Sequence, residues 1–264
     1  METITSKTNE KIRLVHALQE QRRARERERL FVVEGTRLVE EAAAAGVRAR
    51  LILHDGRLGP RERSAVNRLA SAGAEVAETT PDILRACSDT TTPPGLLAVL
   101  EWPQLPLPAP LERVVVADGI SNPGNLGSLM RAVEAFGIQL VLLAPGCVDA
   151  FNPKVVRGAM GAHLRLPIRA LSWKEIAATL AGFRVYLAQA REGKSADAMD
   201  WTPPVALILG GEAAGPGDQA RSIATDAVHI PMRGKTESLN AAVAGGILLY
   251  EMTRGREPLM KANR

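Results

Sequence analysis

Three short segments in the C-terminal half of this 264-residue chain hold the groups that chemistry would need. The first runs from Asp118 to Gly127, contains Asn122, Gly124 and Asn125, and is followed closely by Arg131. The second is Gly210-Gly211-Glu212, closing at Gly215-Pro216, and the third is Ile230-Pro231-Met232-Arg233-Gly234-Lys235-Thr236-Glu237-Ser238-Leu239-Asn240. Amide, carboxylate, hydroxyl and guanidinium groups order a polar substrate and hold or move a proton. Glycine-containing loops between strand and helix let backbone N–H groups approach a ligand closely. Each segment also has a plain reading when taken alone. Asn and Ser cap helix starts, a carboxylate at a helix start is favoured by the dipole, and Arg131 lies off the Leu129/Val133/Phe136 stripe as a solvated helix residue. For single segments both readings stand. Other chemistries lack residues: there is no GxGxxG, HExxH, GxSxG or P-loop, and His16, His54, His163 and His229 show no metal-ligand or triad spacing.

Each segment follows a strand-like run. Strands are predicted at Arg113 to Ala117, Leu140 to Leu143, Arg184 to Ala188, Ala206 to Leu209 and Val228 to Ile230. Helices are predicted over Ser128 to Phe136, from Asn152-Pro153, from Ser172 with Glu175 completing a capping box, and over Ser238 to Met252. Continuous apolar strands alternating with helices predict an α/β fold with a parallel sheet covered on both faces. Upstream, a long helix over Glu10 to Arg29 precedes short strands at Leu30 to Val33, Arg50 to Leu53, Glu75 to Glu78 and Leu96 to Leu100, a smaller α/β domain. Between the two parts, residues 102–110 hold four prolines in nine residues, which reads as a semi-rigid linker. The expected organisation is therefore a domain over 1–101, the linker 102–110, and a second domain over 111–264.

The composition fits a protein with a real core: 46% of residues are hydrophobic but only 3% aromatic, and the net charge is +4. Cys87 and Cys147 are far apart and carry no CxxC spacing, which reads as two free thiols in a reducing compartment. No run of about 18 apolar residues is present and the N-terminus is polar, so a cytoplasmic protein without a membrane span is expected.

Taken together, the three segments resemble the motifs of the SpoU (TrmH-like) branch of the SPOUT methyltransferases. Asn125, Gly127 and Arg131 match the first motif, Gly210, Glu212 and Gly215 the second, and Ile230, Pro231, Met232, Gly234, Ser238, Leu239 and Asn240 the third, in order and at agreeing spacing. The chain departs from the usual pattern after Asn240, where Ala242 replaces a common hydroxyl residue. Asn9, Lys11, the arginine-rich stretch, Phe31 to Gly35 and Arg37 are similar to an N-terminal substrate-binding domain that itself resembles RNA-binding ribosomal proteins.

The resemblance implies a C-terminal α/β SPOUT domain whose end is threaded into a deep trefoil knot, a homodimer, and S-adenosylmethionine as cofactor. It assigns the cofactor contacts to Leu209, Gly210, Ile230, Met232 and Leu239, and the catalytic work to Arg131 with Asn125, Glu212, Ser238 and Asn240. The stretch Gln21 to Arg29 has five arginines in nine residues. Alone it reads as a solvated helix with Arg22–Glu26 as an i,i+4 pair; beside the rest of the domain it becomes a phosphate-contact patch. Lys11, Arg22, Arg23, Arg25 and Arg37 are thus the expected RNA contacts. The implied activity is methyl transfer to a ribose 2′-hydroxyl of RNA, ribosomal RNA first, with tRNA 2′-O-methylation or a non-catalytic RNA-binding role as the alternatives.

Overall fold

The structure is a computed structural model that describes residues 2–90, 92–211 and 215–254. The chain forms two compact units, one from Met1–Gln104 with Asp149–Arg165, the other from Leu105–Val148 with Leu166–Arg264.

The first unit begins with β1 (Glu2–Ile4), α1 (Glu10–Glu20), α2 (Arg22–Glu28), β2 (Leu30–Glu34), α3 (Thr36–Ala45), β3 (Ala49–His54), α4 (Pro60–Ser71), β4 (Glu75–Thr79), α5 (Pro81–Cys87) and β5 (Leu96–Glu101). Its sheet has the order β1-β4-β3-β5-β2, with β5 antiparallel to both neighbours. Side chains alternate across a strand, so Phe31, Val33, Ile52, Ala98 and Leu100 enter one core layer. Leu30, Val32, Leu51, Leu53, Leu97 and Val99 enter the opposite one.

The helix expected over Glu10 to Arg29 is two helices, broken at Gln21, whose backbone is extended (φ −114°, ψ 114°). Arg25 holds the break. Its buried guanidinium donates from Nη1 to the carbonyls of Leu18 (2.6 Å) and Gln19 (3.2 Å), which terminate α1, and from Nε to Asp149 Oδ2 (2.7 Å). Orphan carbonyls at a helix end need donors, and Arg25 supplies them. The same ion pair anchors the Asp149–Arg165 segment, where Phe151 stacks on Trp102 (centroids 4.1 Å apart, 12° between planes) and packs against Phe31 (5.1 Å). A linear reading places this segment in the second domain. The buried ion pair and aromatic stack instead make it part of the first compact unit.

The second unit carries β6 (Arg113–Asp118), α6 (Pro123–Ala135) and β7 (Leu140–Leu143). After α7 (Pro153–Ala159), which belongs to the first unit, it resumes with β8 (Ile168–Ala170), α8 (Trp173–Thr179), β9 (Arg184–Gln189), β10 (Lys194–Ser195), β11 (Val205–Gly210), α9 (Asp218–Ile223), β12 (Asp226–His229) and α10 (Ala241–Thr253). The seven strands lie in the order β10-β12-β9-β11-β6-β7-β8, and every pairing is parallel. The apolar strand runs are the inner rows of this sheet: Val114, Val116, Leu142, Leu187 and Ile208 pack with Ile176, Leu180 and Ala220 of α8 and its surroundings and of α9. Helix α10 approaches α6 and β11 so closely that a methyl placed on Gly245 would fall 2.7 Å from Leu129 Cδ1 and 3.1 Å from Leu209 Cδ1.

Two helix starts differ from the sequence expectation. Helix α6 begins at Pro123 rather than Ser128, because Asn122 Oδ1 accepts from the N–H groups of Gly124 (2.8 Å) and Asn125 (3.3 Å) and Pro123 occupies the first helical position. Asn125 and Gly127 therefore sit on the first turns of a helix. Helix α10 begins at Ala241, with Asn240 as its cap. Among the described residues no helix is long and apolar enough to cross a membrane.

Candidate active site

The C-terminal ends of β9, β11 and β12 and the start of α10 surround a cavity of about 270 Å³. Leu209, Gly210, Ile230, Met232 and Leu239 all line it, as does Ser238. A second hollow of about 480 Å³ shares Ala190, Ile230 and Met232 with it. Strand ends at the carboxyl edge of a parallel sheet are where such folds leave a crevice, since the following loops diverge there. Among the described residues, the wall is built mostly from apolar side chains and glycine backbone and holds no charged side chain. Loop packing explains the glycine at the end of β11: a Cβ on Gly210 would lie 2.6 Å from Pro216 N, so only a bare backbone allows the loop to fold back.

The loop is clamped from the neighbouring strand. Asp118, the last residue of β6, accepts the Gly211 N–H on its backbone carbonyl (2.9 Å) and the Gly217 N–H on Oδ2 (2.7 Å). Sequence reading saw Asp118 only as the start of the first segment, because its partner lies 99 residues away. Gln189 and Ala190, at the end of β9, also line the cavity and were missed. Their one signal was position: β9 was read as a strand, and its carboxyl end falls beside those of β11 and β12. Close to the first segment, Cys147 donates from Sγ to the Ala117 carbonyl (3.2 Å), and burial pushes its thiol pKa up, so it is no thiolate nucleophile.

The polar candidates divide. Asn240 Oδ1 accepts from the N–H groups of Ala242 (3.0 Å) and Val243 (3.2 Å), while its Nδ2 donates to Asn125 Oδ1 (2.9 Å). One side chain thus caps α10 and bridges to the first turn of α6. Arg131 is exposed on α6 and makes no hydrogen bond or ion pair among the described residues. It neither lines the cavity nor bonds to the Asn125–Asn240 pair within one chain. Glu212 lies outside the described residues.

In the first unit, Arg23 is exposed, Arg22 pairs with Glu26 (2.7 Å), Arg37 with Glu41 (3.0 Å) and Lys11 with Glu75 (2.6 Å). Arg25 is a correction to the expected RNA contacts: at 2% exposure, and committed to Asp149 and two carbonyls, it is a core residue with no face to offer a phosphate.

The sequence model of the SpoU rRNA Methylase family matches residues 112–250, more than half of the chain. The chain belongs to this family. A model described as the MRM3-like substrate binding domain matches residues 9–98. This SpoU family member is 31% identical to the 23S rRNA (guanosine(2553)-2'-O)-methyltransferase RlmP of Bacillus subtilis, over 96% of this chain and 99% of that protein. It is 33% identical to the 23S rRNA (uridine(2479)-2'-O)-methyltransferase of Streptomyces viridochromogenes, over 96% and 92%. Among solved structures, an AdoMet-bound rRNA methyltransferase from Sinorhizobium meliloti superposes with a TM-score of 0.87 at 27% identity, over 96% of this chain and 97% of that one. The family and the α/β fold expected from the three motifs are thus both found.

Proposed function

We propose that this protein is an S-adenosylmethionine-dependent methyltransferase that modifies a ribose 2′-hydroxyl of ribosomal RNA. The observation that carries the proposal is the convergence of Leu209, Gly210, Ile230, Met232 and Leu239, from two distant segments, on one largely apolar cavity in a SpoU family member. Its volume lies just under the ~300 Å³ at which small-molecule sites begin, and its mix of apolar side chains with bare backbone suits a nucleoside. When bound, S-adenosylmethionine supplies a methyl group already activated by its sulfonium centre.

The chain's own residues do the rest. Apolar side chains grip the nucleoside and exclude water, and the backbone at Gly210, Ile230 and Leu239 offers hydrogen bonds. The Asn125–Asn240 bridge fixes the starts of α6 and α10 relative to each other, and Ser238 and Glu212 order the target nucleotide. Arg131 is assigned to the 2′-hydroxyl. Because a guanidinium holds its proton tightly, its charge is better suited to orienting the hydroxyl and holding the developing alkoxide than to taking the proton outright. Since Arg131 stands apart from the cavity in its own chain, we assign it to a site completed in a homodimer. Val243, Ile247 and Tyr250, at 53%, 39% and 51% exposure, form an apolar stripe on α10 that supports such pairing. The α10 end is proposed to close the trefoil knot of this fold. Lys11, Arg22, Arg23 and Arg37 are proposed to meet RNA phosphates, and the unpaired Cys87 and Cys147 fit a reducing cytoplasm.

The test is methyl transfer from labelled S-adenosylmethionine to ribosomal RNA, followed by digestion to nucleosides. A 2′-O-methylnucleoside is expected. Label on a base, label on tRNA alone, or cofactor binding without transfer to any RNA would each overturn the reading. Arg131→Ala should abolish transfer while calorimetry still shows cofactor binding.

A further inference from the structure

Among the described residues, the wall of the 270 Å³ cavity is almost bare of polar side chains: Gln189 and Ser238 alone carry hydrogen-bonding groups beyond the backbone. Ser238 is exposed, whereas Gln189 is half-buried at the last position of β9. Its backbone is held in register opposite His229 of β12, so the sheet fixes where its side chain starts. Yet the carboxamide makes no hydrogen bond with any other described residue. An amide without a partner, on a residue that lines an apolar cavity, needs one once the cavity is filled, since an amide then shut away from water without one is costly.

The cofactor's chemistry indicates which part of it that partner is. The described wall around Gln189, with Ala188, Ala190, Ile230 and Met232, holds no charged side chain; such a surface suits neither the ammonium nor the carboxylate of the methionine tail, but it accepts the flat, neutral adenine. Adenine presents its 6-amino donor beside a ring-nitrogen acceptor, the pattern that a glutamine carboxamide matches by accepting and donating at once.

We propose that Gln189 reads the amino edge of the adenine, making it the side chain by which this protein recognises its methyl donor. This rests on the cavity being the cofactor pocket, but not on the identity of the RNA. It adds a side-chain determinant to the backbone contacts described above.

The test needs no RNA. Equilibrium binding is measured for S-adenosylhomocysteine, for 5′-methylthioadenosine, which lacks the amino-acid tail, and for the 6-deamino analogue of the latter. Gln189→Leu should weaken S-adenosylhomocysteine and 5′-methylthioadenosine alike, by about 10-fold. Loss of the 6-amino group should weaken binding to the unaltered protein by a similar factor but leave Gln189→Leu nearly indifferent, because contacting groups are not additive. Gln189→Glu, which keeps an acceptor for the amino group, should retain the preference for the 6-amino compound. Unchanged thermal unfolding of the leucine variant shows that the fold is intact. A leucine variant that weakens S-adenosylhomocysteine but not 5′-methylthioadenosine would place Gln189 at the tail and overturn the proposal. So would an undiminished 6-amino preference. If the unaltered protein binds neither nucleoside, the cavity assignment itself falls, and this proposal with it.

Discussion

Asn240 performs two tasks that mutation can separate. Its Oδ1 accepts two N–H groups at the start of α10, and its Nδ2 donates to Asn125 Oδ1 at 2.9 Å. Replacing an Asn cap by Ala costs about 1 kcal/mol, and losing one further exposed hydrogen bond adds about 0.5 kcal/mol. Asn240→Ala should therefore destabilise the second unit by about 1–2 kcal/mol, a drop of a few degrees in Tm. Asn240→Ser keeps a good cap but is too short to reach Asn125, so it isolates the bridge. Its stability should fall by only about 0.5 kcal/mol, and its affinity for S-adenosylmethionine should match that of the unaltered protein, since Asn240 does not line the cavity. Under the proposed mechanism, in which Asn125 acts at the target ribose, its kcat should fall about 10-fold or more, because the bridge fixes Asn125. Chemical denaturation, calorimetry and single-turnover methylation read the three quantities independently. A serine variant with full turnover would refute the bridge as a positioning contact, and an alanine variant of undiminished stability would refute the cap.

Arg25→Ala or Asp149→Ala leaves one charge of a buried pair uncompensated and should destabilise the first unit by about 3–5 kcal/mol in urea titrations; the double change to Met and Leu should recover only part of that loss, because the Leu18 and Gln19 carbonyls then lack their donor. Gly245→Val should cost about 1–3 kcal/mol by overpacking against Leu129 and Leu209, and because Leu209 also lines the cavity, it should weaken cofactor binding measured by calorimetry. His163 lies wholly buried against Phe31 and Phe151, with Nε2 2.7 Å from the Ala150 carbonyl, and burial holds its pKa down to about 4. The unfolded chain takes up this proton near pH 6.5 and the folded one does not, so stability is full above about pH 6.5 and is lost as pH falls towards 4, by up to ~3 kcal/mol. His163→Gln should flatten that part of the stability–pH curve; an unchanged slope would assign the effect to other groups.

How much of this was legible in the chain depends on the range of the interactions. Local chemistry was: Asn152 with Pro153 and Ser172 with Glu175 satisfy orphan N–H groups a few residues away, so sequence reading locates both helix starts. The continuous apolar runs at 114–117 and 206–209 likewise declare strands buried on both faces. The motifs read as one composite site, and the residues assigned to cofactor do share a cavity. Where range grew, the reading failed. Five arginines in nine residues look alike in a string, but only Arg25 turns inward, because Asp149 arrives 124 positions later to meet it. The same distant pairing moved residues 149–165 into the first unit.

The sequence by itself determined the family, the alternation of strand and helix, and the residue types available at three strand ends, since these depend on periodicity and on neighbours within a turn or two. Tertiary structure alone decided which of those groups meet. Strand order sets β9 beside β11 and β12 and so brings Gln189 to the cavity, Asp118 reaches the β11 loop only because β6 is the neighbouring strand, and Arg131 is left apart from the cavity of its own chain. The physical reason is that lateral pairing in a parallel sheet is chosen by packing of whole faces, and no single residue along the chain encodes its neighbour across the sheet.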